Sequence, residues 1–248
     1  MIPSVSLMGS SMLAVTQAIP ELEKRLGRPI TVIGGLAVMC RLAGAYRVTS
    51  DLDTANRRSA NERPQLDVLL ATGAARADAA GAFVPTPAGL VRVDILEVSD
   101  YEVEHLPEDP NDRLHVLSHA WAVATASPVA IEVGHGVRSD GYRVTTRVAE
   151  PGPLVAMKLQ SVMNRPVAKE GTDLLDIVRL VLDANTGPAV RAQFDAADPV
   201  LRQDAGLHAE KWFVEQRDKT LRKITAIPEG RGIDVDTLDF VAQLLPLP

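Results

Sequence analysis

Cysteine is almost absent from this sequence: Cys40 is the single one among 248 residues. One cysteine cannot form an internal disulfide framework, and it excludes a zinc site built from several cysteines. Its apolar neighbours predict that Cys40 packs in the core. This cysteine usage agrees with a reducing compartment, and we therefore expect a cytoplasmic protein.

Long hydrophobic runs and an excess of positive charge are also missing. No segment approaches the roughly 20 consecutive apolar residues that span a bilayer, so we expect no membrane partner. The apolar stretch 1–20 lacks the positively charged start of a secretory signal and is typical of an opening helix. The formal net charge is -6. Any RNA must therefore meet a local basic patch, because the field of the whole molecule repels it.

Several well-known catalytic motifs are absent as well. The sequence has no Gly-x-x-x-x-Gly-Lys loop, no Gly-x-Gly-x-x-Gly after a strand and no Gly-x-Ser-x-Gly turn. P-loop, dinucleotide-binding and serine-hydrolase functions therefore lose support. The histidines show no paired metal-ligand spacing that includes a third ligand, so each is interpreted as a surface or hydrogen-bonded histidine.

The composition that remains is that of a folded protein. Hydrophobic residues make up 46% and charged residues 23%, near the average for globular chains. The length permits one large domain or two smaller ones, and the segment Pro151-Gly152-Pro153 marks a boundary. We predict a core domain over residues 1–150 and a helical domain over 151–248.

Hydrophobic periodicity and turn signals predict alternating helices and strands in the first domain. The run 97–112 carries seven acidic side chains and two prolines, which is typical of a solvated loop. The second domain is predicted to be helical over 154–163, 173–182 and 208–224. The elements predicted for the first domain are a helix at 11–26, a strand at 30–33, a helix at 36–42, a strand at 49–54, a helix within 62–80, a turn at 83–89, and strands at 90–96, 129–133 and 142–148.

Two aspartates, Asp51 and Asp53, stand two residues apart on a predicted strand, so both project to the same face. Carboxylates placed this closely repel each other, and a divalent cation relieves the repulsion. Asp94 on a neighbouring strand is positioned to complete a three-carboxylate magnesium site. An isolated Asp-x-Asp is also common on surface strands and in turns, and that interpretation stays open.

A pair of glycines, Gly34 and Gly35, lies between a strand and a helix. Backbone N–H groups at such a helix start favour a phosphate, although the pair is also compatible with a simple turn. A phosphate site and a metal site in one cleft predict a nucleotidyl transfer. An acceptor hydroxyl attacks the α-phosphate of a nucleoside triphosphate, Asp94 acts as the base, and pyrophosphate leaves.

The order of these elements resembles the motif of the nucleotidyltransferase superfamily that includes DNA polymerase beta-like enzymes. The residues that carry it are Gly34-Gly35, Thr49-Ser50-Asp51-Leu52-Asp53 and Asp94. Further on, segments 154–159 and 165–177 resemble the downstream pattern of the AbiEii and MenT toxins. The resemblance covers about residues 30–182. It implies an α/β (α+β) protein with a nucleotidyltransferase-like mixed sheet, flanking helices and a mostly helical C-terminal lobe that completes the active-site cleft.

The resemblance also implies further site residues and partners. Lys158, with Asp176 or Asp173, joins the metal carboxylates at the site, and Ser50, Lys158 and Asp173 contact the nucleotide together with the glycines. Such toxins transfer nucleotides from NTP, often onto the 3′ end of tRNA, and are paired with an antitoxin protein or a kinase. Some are silenced by phosphorylation of a hydroxyl residue two before the first aspartate, which here is Thr49. We therefore expect a magnesium-dependent nucleotidyltransferase toxin.

Other interpretations stay open at this point. The same layout resembles antibiotic nucleotidyltransferases that act on a small hydroxyl acceptor such as an aminoglycoside, and an inactive nucleotide-binding partner protein is a third hypothesis. Lys158 is also compatible with a solvent-facing charge or with one member of an ion pair. Asp173 and Asp176 are compatible with a solvated helix face paired with Lys169 or Arg179. Trp212 and Phe213 are interpreted as core residues. The candidates for RNA backbone contacts are Arg57, Arg58, Arg63, Lys219, Arg222 and Lys223.

Overall fold

The computed structural model describes residues 2–134, 141–164 and 167–247. The chain divides into two compact units, which are described separately. The sheet unit comprises Met1–Cys40, Ala45–His105 and His119–Glu150. The helical unit comprises Arg41–Gly44, Leu106–Ser118 and Pro151–Pro248. Residues 135–140, between the predicted strands 129–133 and 142–148, lie outside the described residues, as do the predicted motif residues Arg165 and Pro166.

Within the described part of the chain, eight strands form one mixed sheet, and all of them belong to the sheet unit. The strand order is β1-β7-β8-β2-β3-β6-β5-β4. The pairs β1/β7, β2/β8 and β3/β6 are parallel and the other neighbours are antiparallel. The strands are β1 (Ser4–Met8), β2 (Thr31–Ile33), β3 (Asp51–Arg58), β4 (Ala75–Arg76), β5 (Gly81–Thr86), β6 (Gly89–Ser99), β7 (Ser127–Gly134) and β8 (Tyr142–Val148).

The helices complete an α/β protein of the α+β kind, and the predicted fold class is confirmed. The described residues of the helical unit contain helices and no strand. Helix α5 contributes to both units, because the division falls between Ser118 and His119. The helices are α1 (Ser10–Leu26), α2 (Gly34–Arg41), α3 (Gln65–Ala71), α4 (Asp100–Glu104), α5 (Pro110–Thr125), α6 (Pro151–Asn164), α7 (Val167–Leu182), α8 (Gly187–Asp195), α9 (Pro199–Glu210), α10 (Arg217–Thr225) and α11 (Val235–Leu244), with a π-helical turn at Lys211–Glu215 and a 3-10 turn at Pro228–Gly230.

Helix α1 provides one side of the core of the sheet unit. It contacts β3, β5, β6, β7 and β8, and its buried residues include Val15, Ile19 and Leu22. The apolar positions recur at helical spacing, so one face of the helix packs against the sheet. The helix ends at Gly27, whose backbone is left-handed and whose N–H donates to the Glu23 carbonyl at 2.8 Å.

Helix α6 is the centre of the helical unit. Its residues from Pro151 to Gln160 are all buried, and it packs against α7, α8 and α9. A buried ion pair joins α5 to α9. Arg113 donates through Nε and Nη2 to the two carboxylate oxygens of Asp204 at 2.7 Å each, and the Asp204 side chain is 1% exposed.

Two strands besides the short β4 were not predicted from the sequence. Residues 4–8 form β1 where an opening helix is predicted, and residues 81–86 form β5 where a turn is predicted. Pro85 is tolerated in β5 because the neighbouring β4 pairs only with Ala82 and Phe83, which leaves Pro85 without a partner on that side. Both strands depend on their pairing partners more than on their own residues.

Helix boundaries were also misplaced. The acidic run predicted as a loop contains the end of β6, helix α4 and the start of α5. Asp109 caps α5 by accepting from the N–H groups of Asn111 and Asp112 at 2.9 and 3.2 Å. Pro110 begins α5 and Pro151 begins α6, since proline is compatible with the first helical position. The helix predicted within 62–80 is limited to α3, and the rest of that segment leads into β4.

No helix in the described residues is long and apolar enough to cross a bilayer.

Candidate functional site

Strands β3 and β6 bring three predicted site residues to one face of the sheet. Their parallel register pairs Asp53 with Asp94 and Asp51 with Arg92. Residues that are paired across neighbouring strands project to the same face, and residues two apart on one strand share that face. The opposite face is buried, because Leu52 and its partner Val93 are in the core. Asp51, Asp53 and Asp94 therefore lie on one partly exposed surface.

Gly34 permits a close approach of the Asp53 carboxylate. Ile33 at the end of β2 is paired with Asp53, and Gly34 follows in the left-handed region with φ of +64°. A Cβ atom on Gly34 would lie 1.9 Å from Asp53 Oδ2. Two features disfavour a side chain at this position: the left-handed backbone and the nearby Asp53 carboxylate.

Gly35 is covered by the loop that precedes β3. A Cβ atom on Gly35 would lie 2.9 and 3.0 Å from the two terminal nitrogens of Arg47, and 3.3 Å from Thr49 Oγ1. Arg47 was not predicted as a site residue. The signal available in the sequence was a cation two residues before Thr49, within the same short loop.

Thr49 and Ser50 are both directed to Asp51. The Thr49 hydroxyl donates to the Asp51 backbone carbonyl at 3.3 Å. The exposed Ser50 hydroxyl donates to Asp51 Oδ1 at 3.2 Å. The bond from Ser50 therefore orients the Asp51 carboxylate, whereas the bond from Thr49 holds its backbone.

Asp94 is held by an arginine that was not predicted as a site residue. Arg92 Nε donates to Asp94 Oδ1 at 3.0 Å, and Arg92 Nη2 donates to Asp78 Oδ2 at 2.5 Å. The hydrogen bond to Asp94 raises the pKa of Arg92. A Cβ atom on Gly81 would lie 2.5 Å from Asp94 Oδ1. The alternation of β6 places Arg92 and Asp94 on one face, which is the sequence signal for their contact.

The donor set of the sheet unit fits a hard cation bound by two carboxylates. Among the residues described, no group of three or more histidine, cysteine, aspartate or glutamate side chains is gathered closely enough to hold a metal ion. Magnesium commonly uses one or two protein carboxylates and completes its coordination with water and substrate phosphates. Asp51 and Asp53 supply two carboxylates on the shared face of β3, and Asp94 Oδ1 accepts from Arg92.

The remaining predicted site residues form a buried cluster in the helical unit. Lys158 on α6 forms ion pairs with Asp173 and Asp176 on α7, the latter at 2.8 Å. Ser161 donates to Asp173 Oδ2 at 3.1 Å. The side chains of the lysine and the two aspartates are 7%, 5% and 0% exposed, respectively. The solvent-facing interpretation of these residues is therefore wrong, whereas the alternative that Lys158 belongs to an ion pair is confirmed.

Most candidates for RNA contacts have acidic or aromatic partners within their own unit. Arg57 pairs with Asp100 at 2.6 Å and Arg58 with Glu97 at 2.7 Å. Lys223 pairs with Glu170, and Lys219 lies 5.4 Å from the Trp212 ring centroid. Arg63 and Arg222 are exposed. Trp212 and Phe213 are 4% and 1% exposed, so both are core residues as predicted.

Two comparisons with known proteins give no match for this chain. A scan against protein-family models finds no matching family, and a search of curated proteins finds no similar sequence. The resemblance to nucleotidyltransferases therefore stays a prediction, and the geometry of the sheet unit is the observation on which a functional proposal can be based.

Proposed function

We propose that this protein is a magnesium-dependent nucleotidyltransferase that transfers a nucleoside monophosphate from NTP to an RNA hydroxyl, most simply the 3′ end of tRNA. One observation carries the proposal. Asp51 and Asp53 share a face of β3, Asp94 is paired with Asp53 from β6, and the Gly34 turn lies against the Asp53 carboxylate.

Each residue of this constellation has a defined task in the proposed reaction. Asp51 and Asp53 would hold the cation, which neutralises charge on the triphosphate when it is bound. Arg47 and the backbone of Gly35 are suited to the phosphates, because a guanidinium and N–H groups at a helix start both favour anions. Asp94 accepts the proton of the attacking hydroxyl.

The transfer itself is an in-line displacement. The acceptor oxygen forms a bond to the α-phosphorus, and the bond from that phosphorus to the oxygen bridging the β-phosphate breaks. Pyrophosphate leaves with that oxygen. The hydroxyl proton moves to Asp94, so one nucleotide is joined to the acceptor and one pyrophosphate is released.

A toxin role and control through Thr49 belong to the same proposal. The Thr49 hydroxyl is 3.3 Å from the position of a Cβ on Gly35. A phosphoryl group on this oxygen adds about 1.5 to 2 negative charges beside the glycine turn, where it repels a triphosphate. A cognate kinase or an antitoxin protein acting there would silence transfer. The function fits the cytoplasmic location expected from the sequence.

The nucleotide-binding role of Lys158, Asp173 and Asp176 stays a prediction from the resemblance. Their buried ion pairs mean that each substitution changes folding as well as chemistry. The decisive variants are therefore those of the sheet unit.

The proposal is tested by labelling. Purified protein is incubated with Mg²⁺, total tRNA and each α-labelled NTP in turn. We expect label in tRNA from the wild type, and none from Asp51→Asn or Asp53→Asn. Asp67→Asn is the matched control, since Asp67 is an exposed acidic residue of the same unit. Equal labelling by the wild type and Asp51→Asn with all four NTPs contradicts the proposal.

Two further arms separate the other hypotheses. Pyrophosphate release with an aminoglycoside, but none with tRNA, indicates a small-acceptor enzyme. Metal-dependent NTP binding without turnover on any acceptor indicates an inactive binding protein. For the toxin role, expression in a bacterial host should arrest growth, and Asp53→Ala should relieve the arrest. Normal growth with the wild-type protein contradicts that role.

A further inference from the structure

Strand β1 forms one edge of the sheet. It pairs in parallel with β7, and no strand of the described residues pairs with its other side. The Ala130 N–H donates to the Pro3 carbonyl at 2.9 Å, and Ala130 is paired with Ser4. Because peptide groups alternate in direction along a strand, the odd-numbered residues of β1 direct theirs to β7. The N–H and C=O groups of Ser4, Ser6 and Met8 therefore face away from the sheet.

This edge lacks the features that usually protect an open strand, which are charged side chains, bulges or a very short strand. Strand β1 has five residues, and no charged side chain occurs in residues 2–20. Its outward residues are exposed, with Met8 at 67%. The opposite edge of the sheet is protected, because β4 has two residues and one of them is Arg76. The outer side of β1 is therefore the edge that can accept a further strand.

A second copy of β1 fits this edge when it runs antiparallel about a two-fold axis at Ser6. Ser6 then lies opposite its own copy, and Ser4 lies opposite Met8. Each of these facing pairs exchanges two backbone hydrogen bonds. Val5 lies opposite Leu7, so the half-buried and the buried side chain stay on the covered face in both copies. No like charges meet across the axis, and the strand is therefore complementary to itself.

The association closes after two copies. A two-fold pairing uses the same edge of both molecules, so no open β1 edge remains. A head-to-tail stack would have to pair β1 with the β4 edge of the next molecule, which offers only two residues. One added strand covers less than the roughly 1,000 Å² expected of a stable interface. The pair should therefore dissociate on dilution.

We propose that β1 is a dimerisation edge, at which a second copy of this chain adds its own β1 in the antiparallel direction about Ser6. The two sheets then continue into one sheet. This inference concerns an interaction surface, and it does not depend on the proposed transfer of nucleotides.

Sedimentation velocity of the whole chain over a dilution series tests the association. We expect wild-type dimers at high protein concentration and monomers at low concentration. Ser6→Lys places two like charges opposite each other at the axis, so it should raise the dissociation constant of the dimer at least about 10-fold. Ala75→Lys is the matched control, because it adds the same charge at an exposed position of the β4 edge and should leave the dimer unchanged.

Ser6→Pro is a second variant that acts on the backbone. The Ser6 N–H faces away from β7, and an edge strand tolerates proline at such a position. The substitution should weaken the dimer while the pairing of β1 with β7 is kept. Circular dichroism identifies any variant that fails to fold, and the remaining folded variant then decides.

Cross-linking through introduced cysteines tests the register. The native Cys40 is buried and does not compete. Under treatment with oxidised glutathione, Ser6→Cys should form a disulfide between two chains, because facing Cα atoms about 5.5 Å apart are within bridging range. Met8→Cys alone should not, since the two copies of residue 8 lie roughly 14 Å apart along the strands. The double variant Ser4→Cys/Met8→Cys should cross-link again.

Three outcomes would overturn the inference. The first is a wild-type protein that stays monomeric at every concentration. The second is a dimer that Ser6→Lys and Ala75→Lys weaken equally, because the interface would then lie elsewhere. The third is cross-linking by Met8→Cys as readily as by Ser6→Cys. None of these outcomes bears on nucleotide transfer, which the labelling assay measures separately.

Discussion

Two ionic clusters in this protein differ in how far they are removed from water. In the sheet unit, the side chains of Arg92 and Asp94 are 38% and 20% exposed. In the helical unit, Lys158 and Asp176 are 7% and 0% exposed. Ion pairs open to solvent contribute about 0–1 kcal/mol, whereas breaking a buried pair costs about 3–5 kcal/mol because the remaining charge stays uncompensated.

This difference determines what a substitution measures. A variant of the sheet cluster should keep its fold, so a loss of activity should report on chemistry. A variant of the helical cluster loses stability first, and a loss of activity there cannot be assigned to chemistry alone.

The largest effect is expected for Lys158→Met. It removes the cation between Asp173 and Asp176, and it should lower the free energy of unfolding by about 3–5 kcal/mol. Urea denaturation measures the change. Lys169→Met on the exposed side of α7 is the control, with an expected change within about 0.5 kcal/mol. A Lys158→Met protein as stable as the control would contradict the buried triad.

Gly34→Ala should have the next largest effect. The left-handed backbone and the displaced Asp53 carboxylate should together lower the free energy of unfolding by about 1–3 kcal/mol. The control is Gly73→Ala, because Gly73 also has a positive φ, of +86°, but its Cβ position has no atom within 4 Å. We expect Gly34→Ala to be the more destabilising variant and to be the one that loses Mg²⁺ binding. Equal behaviour of the two variants would exclude the contact.

His208 should make stability depend on pH. Burial lowers the pKa of His208 below its ordinary value of 6.5, although the hydrogen bond to the Asp204 carbonyl opposes the change. At pH values between the lowered pKa and 6.5, the unfolded chain therefore binds a proton at this histidine that the folded chain does not bind. In that range the stability falls as the pH falls, by at most about 1.4 kcal/mol per pH unit.

Urea denaturation at a series of pH values measures this slope. His208→Gln should remove the contribution, so that the curves of the variant and the wild type converge toward acid. His105→Gln controls for the loss of one exposed imidazole. If the free energies of unfolding of the wild type and of His208→Gln changed in parallel with pH, the pH dependence would not come from His208.

The smallest effect on stability is expected for Asp51→Asn. Removal of one of two neighbouring carboxylates reduces repulsion, so the free energy of unfolding should stay equal or rise by up to about 0.5 kcal/mol. Transfer should nevertheless be abolished. Thermal denaturation and the labelling assay on one preparation measure both. A clear loss of stability would mean that Asp51 is structural and would remove the contrast between the two clusters.

The parts of the fold that local sequence determines were predictable. The strand at 30–33, the glycine turn, the strand that contains Asp51 and Asp53, and the strand that contains Asp94 each have strong local signals, and the structure has elements at all of these positions. Their alternation also predicts which side chains share a face. The proposed carboxylate surface depends only on those features and on one parallel register.

The missed features depend on partners that are distant in sequence. Leu7 is the single fully buried residue of β1, so the apolar pattern there does not distinguish a strand from a helix. The contact between Arg92 and Asp78 requires β5 to fold back on β6, and Arg47 reaches Gly35 only through the course of a loop. The burial of Lys158 follows from the packing of α6 against α7, which helical periodicity does not reveal.

Strand β1 has a consequence for the order of events during synthesis. Its partner is β7, with Ser4 paired to Ala130 and Met8 to Gly134. The first strand therefore has no partner in the sheet until more than half of the chain has been made. Pairing between segments so distant in sequence is slow to form. An unpaired strand edge is also prone to association with other chains. We expect the β1 edge at Ser4–Met8 to stay open until β7 has been made, and to require protection on the ribosome until then.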